Sequence, residues 1–201
     1  MILRDAESTL RVLLRAFPIV TLTGPRQSGK TTLARAVFAD RPYRSMEDPD
    51  VRLLALDDPR GFLGQVPDGA VLDEVQRAPQ LLSYLQSLVD GDGRMGRFLL
   101  TGSQQFGLMS GVTQSLAGRT AFIELLPFSI GELEGAESRP ATLDDMLFSG
   151  GYPPLYDRGL PPGLWFPPYV TAYVERDVRQ LLKVQDLETF QRLVTLSSNR
   201  R

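Results

Sequence analysis

Gly24-Pro25-Arg26-Gln27-Ser28-Gly29-Lys30-Thr31 has the form G-x-x-x-x-G-K-[ST] of a phosphate-binding loop, with Thr32 directly after it. Upstream, Pro18-Ile19-Val20-Thr21-Leu22-Thr23 is apolar and β-branched, as in a buried strand. Downstream, Thr31 to Phe38 carries apolar residues at helical spacing. Strand, glycine loop and helix follow in the order that aims backbone amides and a helix N-terminus at phosphate oxygens. Lys30 is one of two lysines among 22 basic residues. A compact ammonium on a flexible stem reaches between phosphates where arginine's planar fork does not fit. The Thr31 hydroxyl is placed to ligate Mg²⁺.

The composition narrows the chemistry. With no cysteine and no histidine among 201 residues, disulfides, thiolate catalysis, Cys/His zinc sites and a histidine base are all excluded. Proton transfer then falls to carboxylates, lysine, tyrosine or water. A net charge of −2 argues against a polybasic nucleic-acid binder. Leu10, Leu13, Leu14 and Phe17 recur at helical spacing, and the acidic residues beside them weaken any attraction to an anionic membrane surface. No strongly apolar run reaches spanning length, so a soluble, cytoplasmic protein is expected.

Strands and helices alternate along the first two thirds of the chain. Tyr43 to Asp48 reads as a short strand with an acidic end, and Asp50 to Leu56 as a helix capped by Asp48 or Asp50. Gly69 to Val75 reads as a strand and the stretch from Pro79 to Gly93 as a helix. Arg97 to Ser103 and Thr120 to Leu126 read as further strands. That alternation predicts an α/β, three-layer P-loop sandwich with a mostly parallel sheet, its core spanning 1–127. Beyond Pro127 the pattern turns helical around Ile130 to Leu133 and Leu143 to Phe148. The proline-rich stretch after Gly150 reads as an irregular connection, with Pro153-Pro154-Leu155-Tyr156 as a rigid turn. Two helices, Val170 to Leu182 and Asp186 to Leu196, complete a small helical lid or arm over 128–201.

Asp73-Glu74, at the end of an inferred strand, supplies two carboxylates with separable jobs. Asp73 would hold Mg²⁺, and Glu74 would orient and deprotonate the water that attacks a γ-phosphate. The strand end at Leu100-Thr101-Gly102-Ser103-Gln104 places Ser103 first, and Gln104 second, as a γ-phosphate sensor. Arg119 is the candidate arginine that meets the γ-phosphate, from its own chain or from a neighbour; the second case requires at least a homodimer.

These features together resemble the AAA-type P-loop ATPases, and within them a prokaryotic group that adds a C-terminal domain of unknown function. The resemblance rests on Leu22 to Thr32, Leu72-Asp73-Glu74-Val75-Gln76, Leu100 to Ser103, Leu116 to Arg119, Leu125-Leu126-Pro127-Phe128-Ser129 and Gly150-Gly151-Tyr152-Pro153. It implies ATP with Mg²⁺, the Asp73 strand next but one to the loop strand, and a helical segment through Tyr173-Val174-Glu175-Arg176-Asp177-Val178. Relatives of this kind look roughly twice as long, so 128–201 is expected to begin a truncated C-terminal region. The missing part would carry an unknown protein or nucleic-acid partner. The function expected is Mg-dependent ATP hydrolysis coupled to a conformational change. Two alternatives stay open: a nucleotide-gated interaction or DNA-associated regulatory module with slow or no hydrolysis, and a small-molecule kinase. Against the kinase, Gln27 stands where many kinases place a further glycine. A GTPase lacks its Asn-Lys-x-Asp guanine reader here.

Overall fold

Along each central strand, successive side chains feed alternate sides of one sheet. In the computed structural model, which describes residues 2–103, 112, 115–134, 136 and 140–173, Phe98 and Leu100 enter one apolar cluster and Leu99 the other. Ala70 and Leu72 likewise oppose Val71, as the two-residue period of a pleated strand requires. Among the described residues the strands are β1 (Ile19–Thr23), β2 (Tyr43–Ser45), β3 (Ala70–Asp73), β4 (Phe98–Thr101) and β5 (Thr120–Glu124). They are ordered β2-β3-β4-β1-β5, and every pairing is parallel. The Asp73 strand lies next but one to the loop strand, as the resemblance implies.

Helices cover both faces. On one side α1 (Ala6–Ala16) and α2 (Lys30–Val37) bury Leu10, Leu33 and Ala34 against Val20, Leu22 and Leu99. On the other, α3 (Pro49–Asp57), α4 (Pro59–Gly64) and α5 (Leu81–Asp92) close over Ile19, Phe98 and Leu100. Asp48 rather than Asp50 caps α3, its carboxylate accepting from the Asp50 amide at 2.9 Å, with Pro49 in the first helical turn. The same Asp-Pro device starts α4, where Asp58 accepts from the Gly61 amide at 2.9 Å. The sequence reading passed over α4 because six residues carry too little periodicity to register.

By contacts the chain divides into two units, residues 1–139 with 151–153, and 140–150 with 154–201. The first unit therefore keeps α6 (Ile130–Leu133), started by a capping box between Ser129 and Glu132. The second holds α7 (Leu143–Ser149), α8 (Pro153–Asp157, from Pro154 onward) and α9 (Pro162–Tyr173). Two expectations fail here. The rigid turn at Pro153 to Tyr156 is a short helix, and α9 begins well before Val170 and runs through Pro167 and Pro168. Trp165 stacks on Tyr169 one turn later, at 4.5 Å between ring centroids, and meets Phe166 edge-on at 4.9 Å. These ring contacts accompany the helix through prolines that cannot donate to its ladder. Gln104 and the helical segments expected past Tyr173 lie outside the described residues.

Phe98 is fully buried in the sheet-facing cluster. Replacing it with Ala should cost about 3–5 kcal/mol of unfolding free energy, read from urea melts, and a loss under about 1 kcal/mol would contradict this packing.

Candidate active site at the carboxyl ends of the strands

Parallel pairing brings the carboxyl ends of β1, β3 and β4 to one edge of the sheet, the edge where ligands bind in open α/β sheets. The loop Gly24–Gly29 rises from β1 at this edge and leads straight into α2. Its turn uses left-handed backbone at Gly29 (φ +94°) and at Gln27 (φ +60°), the second a conformation that glycine adopts without strain. Gly24 (φ +142°) is fixed by close approach: a Cβ there would meet the Leu125 carbonyl oxygen at 2.2 Å. Lys30 is buried, and its Nζ donates to the carbonyls of Gly24 at 2.9 Å and Pro25 at 2.8 Å, which aims the ammonium across the mouth of the loop. The Ser28 hydroxyl is buried with no hydrogen-bond partner.

Asp73 ends β3 beneath this loop. Its carboxylate accepts from Tyr43 OH at 2.5 Å, from the Thr101 hydroxyl, and from Thr31 Oγ1 at 3.4 Å to each carboxylate oxygen. Burial, and then Asp73 itself, push the Tyr43 phenol up to about 12, so it stays a donor. Neighbouring oxygens around a Mg²⁺ with bonds near 2.1 Å stand about 3 Å apart, so the 3.4 Å spacing of Thr31 and Asp73 fits that ion. Among the described residues no group of three or more acidic side chains forms a cation site by itself. This hydroxyl and carboxylate pair would share such an ion with phosphate oxygens.

Glu74 follows in left-handed backbone (φ +54°), its amide donating to the Thr101 hydroxyl on β4 at 3.4 Å. Gln76 Nε2 donates to Glu74 and also lies 3.4 Å from Ser103 Oγ. Burial, then the adjacent Asp73, push the Glu74 carboxyl above its ordinary range against the opposing pull of Lys30, Gln76 and Arg26. Lys30, Thr31, Asp73, Glu74 and Ser103 therefore converge on one edge, with Ser103 buried at the end of β4.

Residues 16–134 match the AAA domain family, more than half of the chain. The chain belongs to that family. Residues 140–200 of this AAA protein match a domain of unknown function, DUF8612, so the C-terminal domain expected to be missing is represented over that range. The uncharacterized proteins Rv2008c of Mycobacterium tuberculosis and Mb2031c of Mycobacterium bovis are each 35% identical to it over 181 residues, 89% of this chain and 40% of theirs. The chain thus spans about 40% of the length of these curated relatives. Among solved structures, the Walker-type ATPase PABY2304 of Pyrococcus abyssi superposes with a TM-score of 0.53 at 20% identity, covering 76% of this chain and 65% of that one. AMPPCP-bound DnaA from Aquifex aeolicus gives 0.50 at 16% identity, covering 87% and 63%. These likenesses show the P-loop NTPase fold.

Arg119 is the residue of the AAA site that the fold does not bring in. It precedes β5, where its carbonyl accepts from the Ile19 amide at 3.2 Å, at the opposite end of β1 from the loop. Roughly 13 Å of strand separates the two ends. Its guanidinium instead forks onto Asp90 at 2.5 and 2.8 Å. Within its own chain Arg119 therefore lies away from the loop edge. Three contributors carried no assigned role in the sequence reading: Tyr43, Thr101 and Gln76. Gln76 stood within the quoted motif, but only the fold shows that it spans from Glu74 to Ser103. Tyr43 sits 30 positions before Asp73 and meets it through the register that pairs Tyr43 with Val71 and Ser45 with Asp73.

Tyr43→Phe removes a donor from a buried carboxylate. It should lower stability by about 2 kcal/mol in urea melts and leave the fold intact by circular dichroism, and an unchanged midpoint would contradict the contact.

Proposed function

We propose that this AAA protein binds ATP with Mg²⁺ and hydrolyses the γ-phosphate, coupling hydrolysis to a conformational change. One observation carries the reading: a buried lysine in a left-handed glycine loop, a hydroxyl and carboxylate pair, and a raised carboxyl all share the carboxyl edge of β1, β3 and β4. The loop amides and Lys30 would cradle the β- and γ-phosphates, with the Ser28 hydroxyl free to join them. Thr31 and Asp73 would hold Mg²⁺, whose charge offsets that of the phosphates when it is bound.

Glu74 supplies the base. The oxygen of a water bonds to the γ-phosphorus as the bond from phosphorus to the bridging oxygen of ADP breaks, and one proton of that water passes to Glu74 and later to solvent. A carboxylate that burial has made more basic accepts that proton more readily. Gln76 would hold the carboxylate in place, and Ser103 would report the γ-phosphate. Arg119 would meet the γ-phosphate of a neighbouring copy, and hydrolysis would then depend on assembly.

Glu74→Gln should preserve Mg-ATP binding by calorimetry while reducing phosphate release by about 100-fold or more. Hydrolysis near the wild-type rate would remove Glu74 as the base. The wild-type rate should climb with pH through a midpoint above the usual carboxylate range, because the base acts only when deprotonated and burial raises its pKa. Lys30→Ala should weaken ATP binding itself by about tenfold or more, and an unchanged affinity would sink the loop assignment.

A further inference from the structure

Arg4 lies before the first helix and outside every motif quoted from the sequence, yet its side chain is 9% exposed. Its guanidinium makes three directed contacts. Nη1 donates to the Ser28 carbonyl at 2.7 Å, Nη2 to the Leu126 carbonyl at 2.5 Å, and Nε to Glu132 Oε1 at 3.0 Å. Its flat face covers the Phe128 ring at 4.7 Å.

The acceptors are themselves fixed. Leu126 follows the end of β5, where the Leu125 amide donates to the Thr23 carbonyl at 2.8 Å. Glu132, 5% exposed, also accepts from the amides of Asp5 at 2.8 Å and Ser129 at 2.9 Å. Burial would push its carboxyl up, but these donors and Arg4 outweigh that and hold it below the ordinary range. The guanidinium is therefore a rigid bracket anchored on β5 and α6, with one arm on the phosphate loop.

That arm has a directional consequence. In a planar trans peptide the carbonyl and the following amide point in opposite directions. Holding the Ser28 oxygen towards Arg4 sends the Gly29 N–H away from it, to the other side of the loop. The fit behind the loop is tight, since a Cβ on Gly29 would lie 3.3 Å from Arg4 Nη1. We propose that Arg4 is a positioning residue for the phosphate loop, setting the direction of the Gly29 amide by holding the Ser28 carbonyl from behind. This rests on the nucleotide-binding reading above. Lysine substitutes only in part, because its single ammonium cannot reach three acceptors spread around a planar fork.

The test compares wild type with Arg4→Met, which keeps the apolar stem and loses the donors. ADP and ATP affinities by calorimetry should both fall about tenfold, one charge-assisted hydrogen bond's worth, because the loop serves phosphates common to both. Arg4→Lys should fall between the two, and guanidinium ion added to Arg4→Ala should recover part of the ADP affinity. A merely structural loss would not be rescued in this way. ADP affinity for Arg4→Met within about twofold of wild type overturns the proposal. Should Arg4→Met fail to fold by circular dichroism, Glu132→Gln decides: it loosens the bracket with Arg4 in place and should weaken ADP binding, and unchanged affinity overturns the proposal. A wild type that binds neither nucleotide removes the nucleotide reading, and this proposal with it. A binding wild type with an indifferent Arg4→Met removes Arg4 alone.

Discussion

The parallel hydrogen-bond ladder from β3 through β4 to β1 is the constraint on which the site depends. Because the strands run the same way and pair Ala70 with Phe98 and Phe98 with Ile19, their carboxyl ends finish side by side. Asp73, Ser103 and the loop become neighbours although they are far apart in sequence. A one-residue slip of any strand would turn its apolar residues to the wrong face and carry its terminal side chain away from the edge. The apolar clusters on both faces specify the register, so the packing that stabilises the sheet also sets the distances at the site.

The loop and the Asp73-Glu74 pair were legible because each is written locally, whereas the place of the Asp73 strand came from the family resemblance. A glycine loop between a β-branched run and a helical run has few other readings, and an acidic pair closing an apolar strand is visible as spacing. Arg119 precedes β5, so in a parallel sheet it lies at the amino ends of the strands, while the loop lies at their carboxyl ends. Pro167 and Pro168 misled because proline's local rule was applied without the Trp165 and Tyr169 rings, whose stacking exists only once the helix has formed. Arg4 was silent for a plainer reason. Its partners at Ser28, Leu126 and Glu132 come from three separate segments, and no pattern in one sequence links them.

Among the described residues two non-glycines take left-handed backbone, Gln27 in the loop and Glu74 after β3, and both lie at the site. Such residues cost on the order of 1 kcal/mol and persist where the surroundings over-determine them. At Glu74 the turn carries the carboxylate from the line of its strand into reach of Gln76. At Gln27 the backbone does what a glycine would do, so the identity of that residue discriminates less between ATPase and kinase loops than its chemistry suggests.

The proline pair in α9 divides that helix mechanically. Neither Pro167 nor Pro168 can return a hydrogen bond to the preceding turn, so the ladder lapses for two consecutive residues in mid-helix. Stiffness along the rod is therefore uneven. The turn before the pair is braced by the buried Trp165, and the turn after it by the Thr171 hydroxyl donating to the Pro167 carbonyl at 3.1 Å. Across the joint itself the continuity falls to side chains, where the stack of Trp165 on Tyr169 does the holding that the missing amide hydrogens cannot.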